Sequence, residues 1–335
     1  MNTLVADTFV PFRASLARTL TAVASAAALL AIAALAATPS TATAADPAAE
    51  LSGFSSFRDF KLDSVAGGTV LTRPSPLMAF TRGISVQSAF VIQAPVKDVA
   101  RGLTTWSGVR HGDLKVFVHE NVTKAGGFNK LSTVNNGSYR NFLKATGQGI
   151  DGVHVSKAEA EELKKDPAGA WPKVLSERAS SFGSATYDTP NGPVTARGDA
   201  RSIIGANAFL AKQFPSLVSL VSGGKASPSY WEFFDVQGTG AVNIGTTKTA
   251  TGADGTMQVL DWQYYASGGF YTNLVFYQLW PVQIGGKEAT LVWRGDFLSV
   301  PESPESKGMG RLGATAIMQQ EVKKVAGYLQ QDLKK

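Results

Sequence analysis

The stretches YWEFFDV (residues 230–236), TMQVLDWQYY (256–265), YTNLVFYQLW (271–280) and EATLVWRGDFLSV (288–300) decide the fold. Each is rich in β-branched and aromatic residues, which suit a pleated, half-buried surface. Gly268 and Gly269 separate the second from the third, and Gly285 and Gly286 precede the fourth, so the economical connection is an antiparallel meander. Beyond Pro301 and Pro304 the apolar period changes from two to about 3.6. Met318, Val322, Val325 and Leu329 then share one helical face, with Lys323, Lys324, Gln330 and Gln331 pointing elsewhere. The expected fold class is α+β, a curved antiparallel sheet with a long C-terminal helix lying across it.

Upstream, residues 84–93 form the first strand: Val86, Ser88, Phe90 and Ile92 share one face and Gln87, Ala89, Val91 and Gln93 the other. Pro95 suits the first position of a helix, Asp98 its positive first turn, and Val96, Val99, Ala100 and Leu103 a buried stripe ahead of Trp106. A strand ending in QAPVKDVARGLTTW resembles the opening of the helix-grip superfamily, which includes the START lipid-transfer domains, the birch-pollen-allergen fold and the polyketide cyclases. Those proteins likewise end in strands feeding a long C-terminal helix. The resemblance implies a sheet wrapped around that helix and a ligand cavity between the two.

Residues 114–119 and 130–134 are expected as the next strands. Residues 155–222 read instead as a helical insertion: Ser156 caps KAEAEELKK, 171–182 form a second helix, and 199–221 a third that Pro215 breaks or kinks. Such an insertion is either an addition between strands or a lid over the cavity. Residues 45–83 form an N-terminal arm whose Phe54, Phe57 and Phe60, three apart, dock onto the main domain of residues 84–335.

Composition is that of a globular chain, with 44% hydrophobic and 17% charged residues among 335. Residues 1–44 are set apart from the core. Arg13 and Arg18 precede an Ala/Leu-rich run over 20–37, followed by Ala42, Thr43 and Ala44, the pattern of a signal peptide cut after Ala44. The alternative is an uncleaved anchor. The net charge of +6 is modest and its cations are scattered among acids, which argues against a nucleic-acid interface but allows weak contact with an anionic membrane surface. The absence of cysteine excludes disulfides and thiolate chemistry. A bacterial periplasmic or secreted monomer is the expectation.

Chemical motifs are weak. Residues 147–152 and 308–313 match the glycine pattern of dinucleotide loops, but too little chain follows the second to complete a βαβ unit. Ser222 and Lys225 have the spacing of penicillin-recognising enzymes, yet the glycines between them disfavour the required helix. His111 and His119, with Asp113 and Glu120, are either an acid–base or metal cluster or separate side chains meeting water. Arg294 and Asp296 share one strand face, as an internal ion pair or a solvated one. Trp231, Phe233, Trp262, Tyr264, Tyr271, Phe276, Trp280 and Trp293 either line a ligand pocket or pack as plain core. The expected partner is a lipid or other hydrophobic small molecule held by these rings with Arg294 and Asp296, without cofactor, metal or assigned catalytic residue. Rival readings are an enzyme of the same fold, using pocket carboxylates and His119, and a structural envelope protein.

Overall fold

The computed structural model describes residues 46–76, 79–122, 127–223, 229–302 and 308–334; the leader expected over 1–44 lies outside them. The arm carries α1 (Pro47–Phe54), whose first turn is capped by the Asp46 side chain, and the short α2 (Asp63–Ala66). Then come β1 (Leu71–Pro74), β2 (Gly83–Ile92), and α3 (Val96–Leu103) with its buried stripe Val96, Val99, Ala100 and Leu103. Two single-turn 3-10 helices lead into β3 (Val116–Asn121).

The segment after β3 is mostly helical. It contains α4 (Gly137–Thr146), α5 (Lys157–Lys165) with a Ser156/Glu159 capping box, and α6 (Trp171–Ser181). A two-stranded ribbon, β4 (Thr186–Tyr187) and β5 (Val194–Thr195), precedes α7 (Ala196–Ala206), α8 (Ala208–Gln213) and α9 (Pro215–Gly223). The chain returns to the sheet through β6 (Ser229–Val236), β7 (Thr239–Thr251), β8 (Met257–Ala266), β9 (Thr272–Ile284) and β10 (Lys287–Ser299), and ends in α10 (Gly308–Leu333).

Eight strands form one antiparallel sheet in the order β1-β2-β10-β9-β8-β7-β6-β3. The last strand therefore lies beside the first long one, with Trp293 opposite Ala89. Every residue of β2 is buried, because both faces of the sheet are covered. On one face Trp231, Phe233, Trp262, Phe276, Trp280 and Trp293 pack among Phe142, Trp171, Phe182 and Phe214 of the inserted segment. On the other, Phe90, Ile92, Val259, Val275, Leu279 and Val292 meet the stripe of α3 and Ala326 and Leu329 of α10. A sheet buried on both faces uses near-continuous apolar runs, as in the TNLVFYQLW of β9.

The structure departs from the sequence reading in four places. Residues 130–134 are not a strand: a 3-10 helix spans Asn129–Thr133, pinned by buried Leu131. β7 was not anticipated, because TGAVNIGTTKTAT is poor in large side chains. Its glycines are small for a reason. A Cβ on Gly240 would strike the Phe233 ring, and one on Gly245 would come within 2.5 Å of the Tyr230 ring. The insertion starts directly after β3 and so includes α4, ahead of residue 155. It also packs on the face turned away from α10, which removes it as a lid on the α10 side. The arm docks as expected: the Phe54 ring meets Trp293 edge-on at 5.0 Å, and Phe57 is buried. The break expected at Pro215 is found, where that residue opens α9; a further break at Asn207, not expected, makes three helices of the segment. No helix of the described residues is long and apolar enough to cross a membrane.

Candidate functional site

Under α10 the sheet is not packed solid. A cavity of about 160 Å³ lies between the strands and the two helices, walled on the helix side by Leu103, Trp106, Val325 and Leu329. Its floor is the polar half of the strand alternation. Where Trp231, Trp262 and Trp293 point to the insertion, their neighbours Tyr230, Glu232, Asp261, Gln263 and Arg294 point to the cavity, joined by His119 and Asn273.

These side chains form a connected network. Tyr230 on β6 lies across Gly245, its register partner on β7, and its hydroxyl donates to Asp261 Oδ1 on β8 at 2.7 Å. The missing side chain at Gly245 is what lets the phenol span a whole strand. His119 stacks on the Tyr230 ring at 5.1 Å and bonds through Nδ1 to Glu232 Oε1 at 2.9 Å. Glu232 Oε2 accepts from Asn243 Nδ2 at 3.1 Å. Across the floor, Arg294 donates to both oxygens of Asp296 at 2.8 and 2.6 Å, and its guanidinium lies 5.6 Å from the centre of the Tyr277 ring. Both members of this ion pair are buried, and a charge inside a protein must be paired to remain there.

Low polarity around the network moves its protons. Burial, partly offset by the Tyr230 hydrogen bond, lifts the Asp261 carboxyl to about 7. Burial and the nearby charge of Asp261 push the Tyr230 phenol well up. For His119, burial opposes the charged form, but Glu232 outweighs it and the imidazole is raised above its ordinary value. Perturbed groups gathered in a cleft are the usual mark of a working site.

The Asp261 shift has a sign that can be checked. The folded state holds this proton more tightly than an unfolded carboxyl does. Its favourable contribution is therefore complete below about pH 4 and is lost as pH rises through 7. Asp261→Asn keeps an acceptor for Tyr230 and has no proton to lose. Denaturation curves are expected to show the variant gaining stability relative to wild type between about pH 4 and pH 7, the interval between the unfolded and folded pKa values, and a carboxylate infrared band that grows near pH 7 should vanish in it.

Trp106, on the cavity wall, belongs also to a cluster at the C-terminus of α10. Asp332 accepts from Trp106 Nε1 at 2.8 Å, bonds His111 Nε2 at 2.9 Å and lies 3.4 Å from Arg110 Nε. Tyr328 stacks on His111 at 3.8 Å and donates to Asp113 at 2.7 Å. Asp332→Ala strands a half-buried indole N–H, and is expected to cost about 1 kcal/mol and to speed amide exchange over Val325 to Leu333, measurable by hydrogen–deuterium exchange.

Of the ten residues singled out in the sequence, Arg294 lines this cavity and Asp296 holds it in place. Trp231, Phe233, Trp262, Tyr264, Phe276, Trp280 and Trp293 belong to the opposite, insertion-side core, as does Tyr271 at its edge. Their indole N–H groups are satisfied within that core, Trp262 by Thr272 Oγ1 at 2.9 Å and Trp293 by Gln87 Oε1 at 3.1 Å. His119 is partnered by Glu232 rather than by water. Tyr230, Glu232, Asp261, Gln263 and Asn273 were not singled out. The signal they left was polar residues recurring at alternate positions of strands whose other positions are Trp, Phe or Tyr. The glycine pattern at 308–313 is the first turns of α10, and Gly147 and Gly149 sit at the end of α4 and in the 3-10 turn beyond it. Among the described residues no group of three His, Asp or Glu is placed to hold a metal ion. No protein-family model matches the chain, and no curated protein matches it significantly.

Proposed function

We propose that this protein binds a small organic molecule, an apolar body with a hydrogen-bonding end, in the cavity between its sheet and C-terminal helix. The observation that carries the reading is the division of labour between the faces. One is filled by its own rings, while the other keeps a hollow with converging buried and half-buried polar groups. The strand order, with the first long strand beside the last and the terminal helix across both, supports the resemblance to the helix-grip proteins and to their mode of enclosing ligands. A compact molecule suits the space better than a long-chain lipid: 160 Å³ is close to the ~150 Å³ hollow that holds a single benzene. Leu103, Trp106, Val325 and Leu329 would cover the apolar body, each Å² removed from water contributing about 25 cal/mol.

Gentle purification followed by native mass spectrometry and solvent extraction tests this. One small molecule per chain is expected, as is a rise in melting temperature when one-ring compounds are added to stripped protein. Protein that is repeatedly recovered empty and gains nothing from such compounds would sink the reading.

A second reading, catalysis in the same cavity, is favoured by Asp261, a carboxyl that titrates near 7 beside a phenol and an imidazole. Such a group gives or takes a proton at neutral pH. Incubating the extracted molecule with wild type and Asp261→Asn separates carrier from enzyme, since only an enzyme converts it, and only with the carboxyl present. Export with cleavage after Ala44 is part of the proposal and rests on the sequence pattern; the mass of the chain recovered from cells checks it.

A further inference from the structure

We propose that the head of the bound molecule is an uncharged acceptor–donor edge, such as a carboxamide or lactam, whose carbonyl meets Arg294 Nη1 and whose N–H meets Asn273 Oδ1. This rests on the reading that the cavity takes a small molecule, and it names which.

Two residues that line the cavity each keep a buried polar atom without a hydrogen-bond partner among the described residues: Arg294 Nη1 and Asn273 Oδ1. Leaving such atoms unpaired is costly, so they state what the ligand must supply. Arg294 is nine-tenths buried, with Nε and Nη2 spent on Asp296. Its charge is already neutralised, and the remaining nitrogen acts as a donor seeking an oxygen.

The polarity of Asn273 follows from a chain of bonds rather than from its own contacts. Tyr230 spends its one hydrogen on Asp261. The side chain of Gln263, which also bonds that phenol, must therefore donate through its nitrogen. Gln263 Oε1 is then the acceptor for Asn273 Nδ2, at 3.3 Å. Asn273 is left with its oxygen unpaired. Its flipped form would set two carbonyl oxygens against each other.

Register sets the two side chains on one face, in neighbouring parts of the sheet. Asp261, Val275 and Asp296 lie in one row across β8, β9 and β10, and Gln263 pairs with Asn273 in the next row on the same face. Arg294 bends along β10 to reach Asp296, which sets its guanidinium in the row beside Asn273. The pairing of one orphan donor with one orphan acceptor disfavours ionic heads: a carboxylate has no N–H for Asn273 Oδ1, and an ammonium has no acceptor for Arg294 Nη1.

The test is calorimetric titration of stripped full-length protein with benzamide, acetophenone, ethylbenzene and benzoate, which share one ring and differ in the head. Benzamide should bind roughly tenfold tighter than acetophenone, and acetophenone roughly tenfold tighter than ethylbenzene, one hydrogen bond apart at each step. Asn273→Leu should erase the first step and leave acetophenone unchanged; the double variant Arg294→Met/Asp296→Leu should erase the second. Circular dichroism and melting curves confirm that the variants fold. If ethylbenzene equals benzamide, or benzoate exceeds it, the cavity binds small molecules but the assigned head is wrong. If no probe binds, the underlying reading fails with it.

Discussion

Asp296→Ala is expected to destabilise the protein by about 3–5 kcal/mol, the cost of leaving a buried partner charge unpaired. Asp296 takes two of the donors of Arg294, both side chains are nine-tenths or more buried, and among the described residues no second carboxylate is hydrogen-bonded to that guanidinium. Removing the carboxylate leaves a cation that burial disfavours and that Tyr277 only partly compensates. Urea denaturation should show the midpoint falling at unchanged slope. The double variant Arg294→Met/Asp296→Leu removes both charges and is expected to lie close to wild type or above it. A double variant as unstable as the single one would show that packing, not charge, was lost.

Trp293→Ala is expected to cost a similar 3–5 kcal/mol by a different route. The indole is fully buried and stacked on Phe214 at 5.7 Å, it takes Phe54 edge-on at 5.0 Å, and it donates to Gln87. Truncation opens a cavity where sheet, insertion and arm all meet, and it leaves Gln87 Oε1 with only the Ser56 N–H. Because Trp293 faces away from α10, affinity for any ligand of the other face should survive in the folded fraction. A stable variant that had lost ligand affinity would contradict the assignment of Trp293 to the structural face.

What the sequence disclosed was the framework. The period switch at Pro301 located α10; of its stripe, Val325 and Leu329 pack on the sheet, Val322 is buried and Met318 is half-buried. The run ending in QAPVKDVARGLTTW gave β2 and α3. What it concealed was which half of each strand meets which helix. Alternation in YWEFFDV and LDWQYY separates Trp231 from Glu232 and Trp262 from Asp261 without saying that the polar half is the one beneath α10. The apolar half looks like a ligand wall until the insertion, drawn from residues far apart in the chain, is seen to fill it. Deciding between them needed the one fact periodicity lacks, the side of the sheet on which the inserted helices settle. The polar floor was equally hidden, because an exposed strand face and a covered polar cavity leave the same pattern. β7 escaped because its identity lies in what it makes room for, the rings of Phe233 and Tyr230, rather than in its own side chains.

The outermost strands bear on how separate molecules meet. A free strand edge is a template for pairing with another chain. One margin here is β1, four residues long and ending in Pro74, which has no N–H to offer. The other is β3, whose pairing with β6 shifts register between Val116 and Val118 and whose Glu120 is tied to Lys130. A short margin ending in proline and an irregular one bearing charge both resist strand-by-strand growth into fibrils, so a protein this rich in β-branched and aromatic strands is protected where it is most open to self-association.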